Sequence, residues 1–317
     1  MRAVNPKSIL STYSQLPSVS PVMKKLILLT LVGVGFIAAR IDAQIIYNND
    51  FPTSDIAVAT RPDTASAFEI EAGDDFLLTR PAHITGATFT GLVPQNFNLT
   101  NIGHVIVEIY RVFPNDSDVG RTSGAPTFST PNVPTRVNSP SDVAFDTRES
   151  GTGLTFTPSI LNPTFTANNS VQPGGIHPMP NQTTGGDDAF TGQEVHFDIT
   201  FSDPFSLPPD HYFFVPQVEL TGTDGAFLWL SAERPISQGT PFPLGVTDLQ
   251  AWTRDDSDGG IAPDWLRVGT DIVGGSPAPT FNTAFSVSGT VPDTASTALL
   301  LGTALIALIW IKRRVIS

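Results

Sequence analysis

The sequence predicts an all-β fold, an antiparallel β-sandwich or jelly roll, for residues 44–290. Three observations predict it. Short runs rich in β-branched and aromatic residues alternate with clusters of Gly, Pro, Asn and Asp, which is how strands and turns alternate. No helical apolar period marks an amphipathic helix in this span. About ten such runs follow one another, enough for two antiparallel sheets.

The runs come in order. Ala67-Phe68-Glu69-Ile70-Glu71 alternates with period two, and Asp75-Phe76-Leu77-Leu78-Thr79 follows. Ile84 to Leu92 is next. His104 to Phe113 has the clearest alternation, with Val105, Val107 and Ile109 on one face and Ile106, Glu108 and Tyr110 on the other. Later runs are Glu194 to Phe201, His211 to Leu220, Ala226 to Ser231, Val246 to Trp252 and Phe281 to Ser288. Thr223-Asp224-Gly225, between two runs, reads as a hairpin turn because Gly accepts the positive φ it needs.

Residues 114–191 break the pattern. They are rich in Pro, Ser, Thr, Asn and Gly, with weak apolar clusters only at Phe145 and at Leu154 to Phe156. Long structureless loops are rare inside a compact domain. The segment is expected to be a loop-rich insertion with one or two extra strands, the alternative being a linker between two β domains. A single domain is preferred, because the first half alone has too few strands to close a sheet pair.

The ends differ from this body. Met1 to Val22 is polar and aperiodic, and reads as an upstream translation artefact or an extended leader. Residues 23–43 read as a signal peptide, with Met23-Lys24-Lys25 as the basic region, Leu26 to Ala39 as the apolar region and Ala43 or Ala39 before the cut. Such a leader implies the Sec translocon and signal peptidase as partners. At the other end, residues 295–311 contain no charge and no proline and are apolar at every helical angle. About 17 residues at ~1.5 Å each reach roughly 25 Å, close to the thickness of a bilayer core. Trp310 suits the headgroup layer, and Lys312, Arg313 and Arg314 hold the C-terminus on the cytoplasmic side.

Val291-Pro292-Asp293-Thr294 precedes that helix, and Arg313-Arg314 follows it. Proline-acid motif, short apolar helix and terminal Arg pair together resemble the PEP-CTERM family of sorting signals. The family's usual core is Val-Pro-Glu-Pro. This tail is closer to its Val-Pro-Asp-Ser-Gly variant, with Thr294 and Ala295 in place of Ser-Gly. The resemblance implies export by a Gram-negative bacterium that makes extracellular polysaccharide. It also implies transient anchoring in the inner membrane and cleavage near the proline by an exosortase, a membrane-embedded cysteine protease. The sorting residues would be Val291, Pro292, Asp293, Lys312, Arg313 and Arg314, within residues 291–317. Position supplies the specificity, since Pro62-Asp63-Thr64-Ala65-Ser66 repeats the motif far from any apolar run. The body resembles, loosely, ectodomains of that family in Asp74-Asp75-Phe76, in Ile84 to Gly91 and in Leu207-Pro208 with Tyr212.

Composition excludes several functions. The chain has no cysteine, so disulfides, zinc-thiolate sites, a cysteine nucleophile and a lipoprotein anchor are ruled out. Its net charge is -13, and all four lysines lie in the terminal segments. Between Gln44 and Pro292 nine arginines face 28 acids. A body this acidic is not expected to bind nucleic acid, whose phosphates need a basic face.

Candidate sites are few. Asp255, Asp256 and Asp258, with Gly259-Gly260, place oxygen ligands on a Gly-bearing loop as Ca²⁺ requires, but the distal Glu of an EF-hand is missing. The alternative is an Asp/Gly turn. Asp187-Asp188 and Asp74-Asp75 read as turn or capping pairs. His104, His196 and His211 read as edge residues, and no His-x-x-x-His motif supports zinc. No Gly-x-Ser-x-Gly elbow is present. Trp252 and Trp265 flank the acid loop and are candidates for stacking on sugar rings, against core packing.

These readings lead to a non-enzymatic exported protein of the cell surface or extracellular matrix, associated with exopolysaccharide. The alternatives are a calcium-dependent carbohydrate-binding module and a glycan-active hydrolase. No cofactor other than calcium is expected. N-terminal sequencing of exported protein should give Gln44 or Arg40; a mature end before Met23 would rule out the signal peptide.

Overall fold

The structure is a computed structural model that describes residues 43–115, 138–141, 143–177, 182–255 and 265–292. The expected signal peptide up to residue 42, Asp256 and Asp258, and the tail from Asp293 onward, with its helix at 295–311 and Lys312 to Arg314, lie outside the described residues.

Fifteen strands lie among the described residues. The first eight are β1 (Gln44–Asn48), β2 (Pro52–Ala59), β3 (Ile70–Leu78), β4 (Ala82–Pro94), β5 (Ile102–Arg111), β6 (Asp146–Glu149), β7 (Leu154–Ala167) and β8 (Ser170–Val171). Then come β9 (Phe190–Leu207), β10 (Asp210–Leu220), β11 (Leu228–Ala232), β12 (Trp252–Asp255), β13 (Leu266–Arg267), β14 (Asn282–Thr283) and β15 (Phe285–Thr290). Among the described residues, helix is confined to a 3-10 turn at Leu99–Asn101 and a π-helical turn at Val268–Val273. No helix of the described residues is long and apolar enough to cross a membrane. The all-β expectation is met.

The strands form two sheets. The larger runs β1-β15-β4-β11-β2-β8, with β9 on β4, β7 on β9 and β14 on β11. The smaller runs β13-β12-β3-β10-β5-β6. Strand alternation sends every second side chain of each sheet into one shared interior. From the larger sheet come Phe89, Phe197, Trp229 and Phe285, with Phe227 just before β11; from the smaller come Phe76, Tyr212 and Phe214. Their rings meet between the sheets. Phe214 stacks on Phe285 with centroids 5.0 Å apart and planes at 4°, and Trp229 meets both edge-on. Phe89 stacks on Phe197 at 4.7 Å within the larger sheet.

β4 and β9 are the spine of the larger sheet. They pair over their full common length, from Ala82↔Leu207 to Pro94↔Gly192. On its other edge β4 pairs with β15 and then β11. Gly91 is where β4 passes closest to its neighbours: a Cβ there would run into the Phe227 ring and the Leu228 carbonyl.

Several expectations are corrected. The runs at 67–71 and 75–79 are joined in one strand, β3, over Ile70 to Leu78, carried through Gly73, where a Cβ would stand 3.0 Å from Val215 Cγ2. Thr223-Asp224-Gly225 is not a hairpin, because β10 and β11 belong to different sheets and the connection crosses between them; the positive φ falls on Gly222. Of the run Val246 to Trp252, only Trp252 is in a strand. The stretch 114–191 contributes three complete strands, β6, β7 and β8. β7 carries Pro158 and Pro163, which an outer strand tolerates because one of its edges needs no ladder bonds.

The resemblance at Leu207-Pro208 with Tyr212 has a physical basis. The chain passes between sheets at this point, from β9 to β10. The Tyr212 hydroxyl donates to the Pro208 carbonyl at 2.9 Å and so pins the corner. Phe197→Ala would empty the centre of the aromatic seam. It should cost about 3–5 kcal/mol in denaturant unfolding.

Candidate functional site

Two polar clusters break the apolar pattern of the smaller sheet, and a third feature, the tail, starts at the rim of the larger. On the outer face of the smaller sheet, Tyr110, Phe213, Val215, Leu249, Trp252 and Trp265 make a second apolar patch. Glu69, Glu71, Glu108, Gln217 and Arg254 stand among these residues. Period two aligns Glu71 of β3, Gln217 of β10, Glu108 of β5 and Arg254 of β12 on this face.

Cross-strand register gathers them. Arg254 lies opposite Glu71, and Glu108 lies opposite Val215 of β10, the strand between β3 and β5. Glu71 and Glu108 therefore reach over β10 from either side. Tyr110 marks their meeting point: its hydroxyl lies 2.5 Å from Glu71 Oε1 and 3.0 Å from Glu108 Oε2. Thr147 donates to Glu108 Oε1 at 3.1 Å. Gln217 Nε2 donates to Glu69 Oε1 at 2.8 Å. One carboxylate oxygen each of Glu69, Glu71 and Glu108 falls within 4.8 Å of the others.

Arg254 forms the floor. It is 1% exposed, its Nε bonds Glu71 Oε2, and its guanidinium lies 4.3 Å from the centre of the Trp265 ring. Burial works against its charge, but Glu71 beside it holds the guanidinium pKa above the ordinary value. Breaking a buried pair of this kind costs about 3–5 kcal/mol, because the surviving charge has no solvent. Glu108 interacts with the same guanidinium, but more weakly than Glu71 does. Burial first, then repulsion from Glu71 and Glu69, pushes its pKa up to about 8.

The second cluster surrounds Asp75. Asp74 and Asp75 lie mid-strand and fully buried, not at a turn as expected, and alternation sends them to opposite faces. Asp75 Oδ2 accepts from the Leu249 amide at 3.1 Å and meets His211 Nε2. Burial raises the Asp75 pKa and lowers that of His211. Both shifts favour a neutral carboxyl-imidazole pair over an ion pair. Nearby, Arg234 pairs with Asp248 at 3.3 Å, and Asn282 Nδ2 donates to Asp248 at 3.2 Å. A cleft of about 430 Å³ opens beside Arg234, Asp248, Gln250 and Arg267.

The remaining expected site residues are accounted for as follows. Trp252 and Trp265 are 3% and 0% exposed. Neither presents a ring face to a sugar, so the stacking expectation is corrected to core packing. Asp255 is a buried residue of β12 rather than part of an open loop, and its charge acts on Arg61. His196 and His211 are not edge residues, because the chain is paired on both sides of each, whereas His104 stands on β5 outside its pairing with β6. Asp187 behaves as a turn residue, accepting from the Gln172 amide at 2.7 Å. The Glu69-Glu71-Glu108 group escaped sequence reasoning. Its one visible signal was acids at alternate positions within apolar strands.

The tail begins where the sheet ends. β15 closes at Thr290, paired with His83, and Val291 still packs on the core. Gln44 of β1 pairs with Gly289, so both ends of the folded body leave from the same rim. Residues 290–315 match the VPDSG-CTERM motif. No curated protein and no solved structure matches the chain. The chain thus carries a PEP-CTERM-like sorting tail on an all-β body, which marks it for export and a surface or membrane-associated location.

The raised carboxyl pKa values set a pH dependence. A proton held by Glu108 in the native state is released in the unfolded chain above its ordinary pKa of about 4.5. Its stabilisation is therefore complete below that value and is lost as pH rises to about 8. One such group gives a slope of at most about 1.4 kcal/mol per pH unit. Asp74 and Asp75 shift in the same direction. Melting in chelator should fall from pH 4.5 to pH 8, and Glu108→Gln should flatten that fall without abolishing it.

Proposed function

We propose that this chain is an exported structural protein whose tail an exosortase reads in the inner membrane and cuts away. The body is then left at the cell surface or in the extracellular matrix as a non-enzymatic β-sandwich. One observation carries the reading: the VPDSG-CTERM match at residues 290–315 begins at the last residue of the last strand. Cleavage at or after Pro292 would remove no strand, so the sheet would keep β15 and all its ladder bonds. A helix used as a temporary handle suits this arrangement, since all the described strands precede it in the chain.

The body's chemistry agrees with life outside the inner membrane. It has no cysteine to oxidise, no lysine between Gln44 and Pro292, and an excess of acid that keeps copies apart. Association with exopolysaccharide rests on the tail's resemblance. Any such contact would be made without Trp252 and Trp265, which are buried.

Replacing Pro292-Asp293 with Ala-Ala should leave nearly all of the protein unprocessed in the inner membrane, as read by fractionation and immunoblotting. Deletion of a co-expressed exosortase should have the same effect on the unaltered protein. Normal release of the double variant would end the sorting reading.

A further inference from the structure

The rim from which the tail leaves is also where exposed apolar side chains gather. β15 ends at Thr290, opposite His83 near the start of β4. The turn at Thr79 to Pro81 stands on this rim, and so does the corner between β9 and β10, because Ala82 pairs with Leu207 and Leu78 with Asp210. A further segment runs along the outer edge of β1, the end strand of the larger sheet. The Thr240 amide donates to the Asn48 carbonyl at 2.8 Å, and the Phe242 ring lies 6.1 Å from that of Tyr47. Pro243 then reaches a pocket of about 300 Å³ that it shares with Gln44, Ile45, Arg80 and Val291. The segment thus descends from the level of Asn48 to that of Gln44, and Leu244 follows at the rim.

Leu244 is fully exposed and Ile45 is 60% exposed. Val246, also exposed, belongs to the same turn, its amide donating to the Pro243 carbonyl at 3.1 Å. Among the described residues these are three of the seven large apolar side chains that stand exposed. Single apolar residues scattered on a surface need no explanation, but a group at one end of a sandwich marks a face that something covers.

The length of the tail says what covers it. Four residues, Val291 to Thr294, separate the end of β15 from the apolar run that starts at Ala295. Fully extended, they reach about 13 Å. A headgroup layer takes up roughly 5–7 Å of this, which leaves a gap no longer than a leucine or arginine side chain. The run at 295–311 reaches roughly 25 Å against a core of ~30 Å, which draws the link further in. Arg80 is exposed on the rim and suits lipid phosphates. Asp210, the acid at the corner, is paired with Arg111 at 2.7 Å.

We propose that, until the tail is cut, this rim rests on the outer surface of the inner membrane, with Ile45, Leu244 and Val246 in the headgroup layer and Arg80 on lipid phosphates. This contact rests on the tail being a membrane handle, as proposed above, and deepens that reading. It holds Pro292 at the lipid surface, where a membrane-embedded protease can reach it. Three apolar side chains hold a bilayer effectively only while the tether makes the contact intramolecular. Cutting the tail therefore frees the body without a separate release step.

The test uses the uncut exported protein, made in cells lacking the exosortase, purified in detergent and placed singly in nanodiscs of phosphatidylethanolamine and phosphatidylglycerol. The chain has no cysteine, so one introduced cysteine carries one fluorescent probe. Probes at Ile45→Cys and Leu244→Cys should lose most of their emission to lipids spin-labelled at the headgroup. A probe at Leu161→Cys should keep its emission. Leu161 is 56% exposed but level with Leu92, ten residues of β4 and roughly 30 Å away from Ala82 at the rim. A probe at Ala304→Cys should be quenched by lipids labelled deep in the acyl chain. Adding Leu244→Asp should restore most of the emission at Ile45→Cys, with near-UV circular dichroism checking that each variant is folded. If the Ala304 probe is quenched but the rim probes are quenched no more than that at Leu161, the contact is overturned and the membrane handle stands. It is overturned too if Leu244→Asp leaves the Ile45 probe fully quenched. An unquenched Ala304 probe overturns both the contact and the handle.

Discussion

The stack of Phe214 on Phe285 is the contact on which the rest of the molecule depends. It joins β10 of one sheet to β15 of the other at near-parallel ring planes, with Trp229 closing the side. Each ring belongs to a strand whose alternate positions are apolar, so the stack fixes which face of each sheet looks inward. With that face fixed, the opposite residues of β3, β5, β10 and β12 must look outward. Glu71, Glu108, Gln217 and Arg254 are those residues. Phe285 also anchors the strand that leads directly into the sorting motif, so the position of the tail follows from the same contact.

Putting charge on the outer face has a physical consequence. That face is not left to solvent: Leu249, Trp252 and Trp265 cover it with a second, smaller apolar patch. Charges beneath such a cover need partners. Arg254 and Glu71 pair directly, while Glu108, held more weakly by the same guanidinium, has a raised pKa. Farther along the same face of β3 and β10, burial shifts Asp75 and His211 toward their neutral forms. The two clusters are two answers to one problem, carboxylates carried into a low-dielectric layer by strand alternation.

The β class and most strand positions were legible in the residues, because alternation and turn chemistry are local. His104 to Phe113 maps almost directly onto β5. Legibility failed where the deciding partner was distant. β7 was obscured by Pro158 and Pro163, which are acceptable only because β9 pairs one edge of that strand and leaves the other free. Gly73 looked like a break and is a point of close approach to Val215. The Thr223 to Gly225 turn looked like a hairpin, since the residues of a turn do not say whether the strands on either side share a sheet.

By itself the sequence determined the address and the class. The motif, apolar run and basic end are contiguous, and a signal read by position along the chain needs no fold to be recognised. Tertiary structure alone decided which acids meet. Glu69, Glu71, Glu108 and Gln217 are spread over roughly 150 residues of chain, and only the strand order β3-β10-β5 brings them to one place. It also decided that Trp252 and Trp265 are buried, because distant segments fold over that outer face, as Ser141 does where its carbonyl accepts from Trp265 Nε1 at 3.0 Å.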